Sequence, residues 1–351
     1  MQSRSEQLAI VLTDPRIGNS KQATSLAKLL EIPYEEISLS YNPLAHLPNF
    51  IPLLCLGLTL SSRAKVMKCQ RVPSLVISSG RRSARVALAM KRKYGCKVVQ
   101  IMHPNLSFSK FDAIILPKHD DKSNARTWQN PRTDCHTVYV NGAVSYIDWS
   151  EIASLSEIDS LPHPRIAVLV GGSSKSVTFG EDDLIIMLGS IERAIQNLKN
   201  SGVNPSIMLT NSRRTPPGFI PIIKQWLDKM TDHSIIYDVY RSELSINPYL
   251  AFLRDSDVII ATGDSVSMCS EMMLANKELY VYIPPKVGDK HNRFLQENFA
   301  NGNFKNIDNA NHLIQWKNTK QNHEPVSTPY NQGSSSLSNE QKAALLKLIY
   351  G

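Results

Sequence analysis

At 351 residues, 42% hydrophobic and 20% charged, the chain is too long for one ordinary core and has the composition of a two-domain soluble protein. Its five cysteines lack CxxC spacing, which excludes a zinc ribbon or a disulfide framework, and no apolar window approaches the roughly 20 residues that span a bilayer. The net charge of +8 is confined: between Glu36 and Asp112 there are 12 Lys and Arg and no acidic residue, leaving 27 basic against 31 acidic residues elsewhere.

The first predicted strand, Leu8 to Thr13, leads through Asp14-Pro15-Arg16-Ile17-Gly18-Asn19 into a helix from about Ser20 to Leu30. A clearer unit follows. Ser74 to Ser78 is a strand, Ser79-Gly80-Arg81-Arg82-Ser83 a turn, and Ser83 to Tyr94 a helix stopped by Gly95. Lys97 to Met102 and Ala113 to Leu116 are further strands, then residues 121–137 read as polar loop and Val138 to Val140 as a short strand. Leu161-Pro162-His163-Pro164 reads as a linker. Beyond it come strand Ile166 to Val170, a helix from Asp182 or Asp183 to about Leu198, strand Ile207 to Thr210, a helix from Pro221 to Met230, and strand Ile235 to Asp238. Strand Val258 to Ala261, a helix, and strand Leu279 to Ile283 form a closing βαβ unit, and Ser338 with Gln341 is a capping box for a terminal helix. Strands alternating with helices predict an α/β fold of two doubly wound parallel sheets. The domains are placed at 1–160 and 165–330, with a terminal helix over 337–350.

In such sheets ligands collect at the carboxyl ends of strands. Three of those ends in the second domain carry anion-binding residue types. Gly171-Gly172-Ser173-Ser174-Lys175 allows close backbone approach and adds donors for phosphate at Gly172, Ser173, Ser174 and Lys175, although it has neither GxGxxG nor P-loop spacing, and a plain tight turn is the competing reading. Arg213 and Arg214 offer planar forks that match a diphosphate. Asp264, Ser265 and Ser267 crowd a helix start, with Glu271 on the same face within reach of a ribose; simple helix capping is the alternative. In the first domain His119, beside Asp120, is the candidate general base, although neighbouring residues seldom point at one another. No metal-ligand pattern is present, so no metal or other cofactor is expected.

The basic block suits an anionic partner. Apolar Phe50 to Leu60 leads directly into Arg63, Lys65, Lys68 and Arg71, a pattern compatible with an anionic membrane surface. Nucleic acid is disfavoured because aromatic stacking residues are few and no reader motif occurs. A solvated basic face, with the apolar stretch buried, is the competing reading. With no secretory leader apparent, the expected location is cytoplasmic, with a peripheral place at the inner face of a membrane in the first case.

Several motifs together carry a family resemblance. Leu12-Thr13-Asp14, Gly18-Asn19, Gln22, Ser79-Gly80-Arg81-Arg82, Gln100-Ile101-Met102-His103-Pro104, Phe111-Asp112 and His119-Asp120 lie in the first half. Gly171 to Ser176, Ser212-Arg213-Arg214-Thr215-Pro216, Asn247-Pro248-Tyr249, Asp264 to Met268 with Ser270-Glu271, and Lys290-His291 with Arg293-Phe294 lie in the second. From about residue 8 to 300 the chain resembles the mitochondrial-fission "elongated mitochondria" family of bacteria and plants. Lys118, Ser256 and Pro15 depart from its usual pattern.

The resemblance implies a GT-B-like fold, two Rossmann-like domains facing across a cleft. Asp14, Gly18, Gly80 and Arg81 would then lie on the N-terminal side and a nucleoside-diphosphate-sugar in the second domain. Taken with the basic block and with the arginines and helix N-termini that can stabilise a departing diphosphate, the leading expectation is metal-independent glycosyl transfer to an anionic or lipid-linked acceptor. The alternative is a non-catalytic adaptor that recruits a protein partner, as plant members recruit a dynamin-type GTPase at the mitochondrial surface.

Overall fold

The computed structural model describes residues 8–46, 55, 57–120, 136–230, 233–239, 246–307 and 333–350. Two compact units emerge, Met1–Ile147 with Ser335–Gly351, and Asp148–Ser334.

The first unit is built on β1 (Ala9–Thr13), β2 (Tyr34–Ser38), β3 (Leu75–Ser79), β4 (Lys97–Ile101), β5 (Ala113–Pro117) and β6 (His136–Val140). They form one parallel sheet in the order β2-β1-β3-β4-β5-β6. Alternation sends Val11, Ile77, Val99 and Ile115 to one face, against Leu26 and Leu30 of α1 (Ile17–Leu30). Leu12, Val76, Val98 and Ile114 face the other way, against Val66 of α2 (Leu60–Met67) and Ala84, Ala87 and Met90 of α3 (Arg81–Tyr94). Burial on both faces explains why these strands are continuous apolar runs. β2 has no such run: only Ile37 is buried in its Tyr-Glu-Glu-Ile-Ser, because it is an edge strand. The sequence pattern therefore did not reveal it.

α3 is delimited by glycine at both ends. Gly80 precedes it at φ 84°, and Gly95 ends it in the left-handed region at φ 69°, its N–H reaching the Lys91 carbonyl at 2.9 Å. Lys91, Arg92 and Lys93 occupy its last turn, where cations suit the helix dipole. Lys91 also pairs with Asp112 at 2.6 Å. Part of the basic block thus serves the fold of the first unit.

The second unit begins with α4 (Ser156–Asp159) and a parallel sheet of β8 (Arg165–Val170), β10 (Ser206–Asn211), β11 (Ser234–Tyr237), β12 (Val258–Thr262), β13 (Glu278–Tyr282) and β15 (Lys305–Asn306). The strand order is β11-β10-β8-β12-β13-β15. Ile166, Val168, Val170, Leu209 and Ile260 pack on Leu184, Met187 and Ile191 of α5 (Glu181–Asn200) and Ile223, Trp226 and Leu227 of α6 (Phe219–Met230). Three further helices, α7 (Tyr249–Asp255), α8 (Val266–Met273) and α9 (Asp289–Ala300), complete the unit. Residues ahead of the Leu161–Pro164 turn belong to this unit, and Arg254 of α7 donates to the Ile152 carbonyl at 2.5 Å.

Two short ribbons matter for position. β9 (Val177–Thr178) pairs antiparallel with β14 (Lys286–Val287), and β7 (Tyr146–Ile147) pairs with β16 (Ser334–Ser335). The terminal helix α10 (Asn339–Tyr350) belongs to the first unit, where Leu345 and Ile349 enter the same cluster as α1. Its capping box forms as expected: Ser338 N–H donates to Gln341 Oε1 at 3.0 Å and Gln341 N–H to Ser338 Oγ at 3.2 Å. The sequence pattern also left α2, α7, α9 and β15 unassigned. Most of the polar loop, residues 121–135, and residues 50–54 and 56 of the apolar stretch lie outside the described residues.

Candidate functional site

In an open α/β sheet the crevice for a ligand opens where neighbouring strands send their connections to opposite faces. In the second unit that reversal falls between β8 and β12. The turns after these two strands, Gly171-Gly172 and Gly263-Asp264, therefore lie side by side.

Asp264 is the hub of this edge. Its side chain is fully buried, and its Oδ2 accepts from Arg214 Nη2 at 2.6 Å and from the Gly172 N–H at 3.3 Å. Its Oδ1 accepts from Thr262 Oγ1 at 2.5 Å, while that Oγ1 accepts from the Gly171 N–H at 2.8 Å. The close approach explains both glycines. A Cβ at Gly171 would stand 1.8 Å from Asp264 Oδ1, and one at Gly172 would stand 2.0 Å from the Arg214 carbonyl oxygen.

Arg214 reaches this point because its loop is fastened on both sides. Asn211 Nδ2 donates to buried Asp238 at 2.9 Å, tying the end of β10 to the segment after β11. Thr215 Oγ1 lies 2.7 Å from the Gly171 carbonyl and accepts from the Ser212 N–H at 2.9 Å, tying the loop to the end of β8. On the other side the β9–β14 ribbon holds the start of α9 against the glycine loop, with Gly288 N–H donating to the Ser176 carbonyl at 2.6 Å. The N-terminal turns of α8 and α9 follow adjacent strands and open at the same sheet edge.

The remaining residues singled out by sequence take distinct positions. Ser173 spends its hydroxyl inside the loop, accepting from the Phe179 N–H at 2.9 Å and donating to the Phe179 carbonyl at 3.0 Å. Ser174, Lys175, Arg213 and Arg214 are all exposed, the Arg214 side chain at 39% even where it pairs with Asp264. Ser265 is the N-cap of α8 and accepts from the Met268 N–H at 3.4 Å. Asp264 thus precedes the helix instead of sharing a helical face with Ser267 and Glu271. Those two, four residues apart, do share one. Glu271 is partly exposed and faces the buried Tyr249 hydroxyl; burial first, and then this carboxylate, push the Tyr249 pKa well above its ordinary value.

The first unit repeats the arrangement at its own reversal, between β1 and β3. Buried Asp14 accepts at Oδ1 from Arg82 Nη2 and from the Arg16 N–H, both at 2.8 Å. The Arg82 guanidinium lies 4.5 Å from the centre of the Tyr41 ring, and burial together with Asp14 raises the Tyr41 pKa. Gly80 meets the first turn of α1, since a Cβ there would stand 2.7 Å from Asn19 Nδ2, and in that turn the Gly18 carbonyl accepts from Gln22 Nε2 at 3.2 Å. Asp14, Gly18 and Gly80 are therefore brought together. Arg81, partly exposed, begins α3, but Arg82 makes the ion pair. His119 is buried in a short turn after β5, two strands removed from this point. His103 is a turn residue, its Nδ1 accepting from the Asn105 N–H at 3.1 Å.

Sequence reasoning gave no task to Thr215, Thr262, Tyr41 or Arg82. It quoted His291 without giving it a task. The strand-end threonines carried a usable signal, because a hydroxyl beside a glycine loop can bind backbone groups locally.

The comparisons with known proteins agree with this architecture. The model of the family described as Mitochondrial fission ELM1 matches residues 17–326. A Rickettsia prowazekii (strain Madrid E) protein described as uncharacterized protein RP120 is 32% identical over 315 residues, 82% of this chain and 86% of that one. The Arabidopsis thaliana mitochondrial fission protein ELM1 is 28% identical over 229 residues, 60% of this chain and 51% of that protein. Among solved structures, UDP-GlcNAc 2-epimerase from Methanocaldococcus jannaschii aligns with a TM-score of 0.55 at 13% identity, over 98% of this chain and 100% of that one. Medicago truncatula UGT71G1, solved with UDP-glucose, aligns with a TM-score of 0.50 at 11% identity over 99% of both chains. With a family model matched over most of its length and two parallel sheets of the GT-B-like type, the chain belongs to the mitochondrial fission ELM1 family.

Proposed function

We propose that the second unit binds a nucleoside-diphosphate-sugar at the β8/β12 reversal and that the protein transfers the glycosyl group to an anionic or lipid-linked acceptor held by the basic first unit. The observation that carries this reading is the Asp264–Arg214–Gly172 cluster. It holds a guanidinium, a glycine backbone and two helix N-termini at one strand edge. Glycine at 171 and 172 keeps the backbone bare where a diphosphate would lie. Arg214, Arg213 and Lys175 offer positive charge to the phosphates, and Glu271 a carboxylate to ribose hydroxyls. A departing diphosphate would be stabilised by arginine and helix N-termini, so the reading calls for no metal.

The fold likeness to a UDP-GlcNAc 2-epimerase and to UGT71G1, solved with UDP-glucose, supports the choice of ligand class. In the first unit, α2 exposes Leu60 at 84% with Arg63 and Lys65, and Lys68, Arg71 and 70%-exposed Val72 follow. That surface supports a peripheral meeting with an anionic membrane at its cytoplasmic face.

A second reading, a non-catalytic adaptor for a protein partner, is favoured by one observation. Asp264, Thr262, Thr215 and Ser173 are engaged with one another or with backbone, so the edge is stable without a ligand. Thermal unfolding against nucleoside diphosphates and their sugars separates the two. A ligand at 100 times its dissociation constant adds about 2.7 kcal/mol. Stabilisation by one nucleotide series supports transfer chemistry, and an unchanged melting point across all of them refutes it.

A further inference from the structure

His291 lies in the first turn of α9 and is only 7% exposed, yet its Nε2 has no hydrogen-bond partner. A buried polar atom left unmatched is costly, and a native fold keeps one where something else completes it. The ring packs against Phe294, with ring centroids 6.4 Å apart, and lies against the backbone of Gly263. The charged groups acting on it are Asp264 from the turn after β12, Arg214 from the loop after β10, and Lys290 on its own helix. Burial is the largest influence and disfavours the charged ring; Arg214 and Lys290 act in the same direction, while Asp264 and the Gly263 carbonyl oppose them.

The Asp264 carboxylate already accepts from Arg214, Thr262 and Gly172. Its charge is therefore largely answered before it can hold an imidazolium. A phosphate oxygen changes that balance, because it brings negative charge and only acceptor capacity. With one ring nitrogen turned to a carbonyl, a neutral imidazole has only a lone pair to offer at the other, and two acceptors cannot bond.

We propose that His291 is a ligand-contacting residue of this site, donating from Nε2 to a phosphate oxygen of the bound diphosphate, and that binding brings one proton from solvent onto its ring. This deepens the nucleotide reading and rests on it for the position of the diphosphate. No other bond is made or broken.

The test is calorimetric titration of the wild-type protein and of His291→Gln with uridine diphosphate and, separately, inorganic pyrophosphate. Buffers of different ionisation enthalpy measure the protons exchanged. The phosphates themselves titrate near pH 6, so the quantity of interest is the difference between the two proteins. The wild type should take up about one proton more than the variant, and its affinity should weaken by up to about tenfold per pH unit above neutrality. His291→Gln should still bind, through its amide donor, with a flatter pH response. Should the variant fail to fold, the His291 ring proton of the wild type, followed by NMR with and without pyrophosphate, must move to the protonated position on binding.

Uridine diphosphate bound without His291-dependent uptake overturns this inference and leaves the nucleotide reading standing. Pyrophosphate bound with that uptake while uridine diphosphate is refused supports His291 and refutes the nucleotide reading. Binding of neither overturns both.

Discussion

Replacing Arg214 by methionine tests whether the buried Asp264 carboxylate depends on its ion pair for the stability of the second unit. The substitution keeps the aliphatic stem and removes the guanidinium that lies 2.6 Å from a fully buried carboxylate. The Arg214 side chain is itself 39% exposed, so it loses little by being released, and the cost falls on Asp264. A buried charge stripped of its partner costs about 3–5 kcal/mol. Thr262 and the Gly172 N–H still donate, which places Arg214→Met near the lower end, about 3 kcal/mol. Asp264→Asn removes the charge itself and should cost less, about 1–2 kcal/mol for a mismatched hydrogen bond. The double variant should then be more stable than the sum predicts, by roughly 1–3 kcal/mol of coupling. Denaturant unfolding followed by tryptophan fluorescence reads mainly this unit, which carries three of the four tryptophans, Trp149, Trp226 and Trp316. A cost for Arg214→Met below about 1 kcal/mol, or strict additivity in the double variant, would refute the reasoning.

Further outcomes follow from individual contacts. Gly172→Ala drives a Cβ to 2.0 Å from the Arg214 carbonyl, a backbone atom that cannot rotate away. It should lower stability by at least about 1–3 kcal/mol and abolish nucleotide binding; a normal melting point would disprove the contact. Glu271→Ala should weaken a nucleoside diphosphate by about 1.5–3 kcal/mol, with Tyr249→Phe separating ribose binding from support of the buried phenol. If calorimetry finds both variants equally impaired, Glu271 acts through Tyr249 alone. His291, whose pKa burial lowers, binds its proton more readily unfolded than folded. Stability should therefore fall as pH drops through about 6.5 and level off below the folded value. His291→Gln should remove that component from a series of denaturation curves, and an unchanged pH profile would exclude it. Finally, Arg63, Lys65, Lys68 and Arg71 changed together to serine should reduce cosedimentation with anionic vesicles and its salt sensitivity, because surface attraction decays over about 8–10 Å. Wild-type protein that ignores such vesicles at low salt would leave the block a solvated face.

The alternation of strand and helix was legible in the amino-acid sequence because nearly every central strand is buried on both faces. Val258 to Ala261 and Ile166 to Val170 could be recognised from composition alone. Capping chemistry is equally local, and Ser338 with Gln341 formed as read. Elements with one buried stripe were harder. β2 buries only Ile37, and α9 hides His291, Phe294, Leu295 and Asn298 in a polar sequence. Their burial depends on neighbours far along the chain.

The candidate site divides in the same way. The strand-end positions of Gly172, Arg214 and Asp264 could be read from the order of elements. The tertiary fold alone decided that Asp264 faces Arg214 and not a helical surface, that Ser173 is engaged with Phe179, and that Arg82 joins Asp14. Local sequence determines which residues stand at a strand end. Which of them meet is settled by strand order and register, which set β8 beside β12 and β1 beside β3 across long separations in the chain.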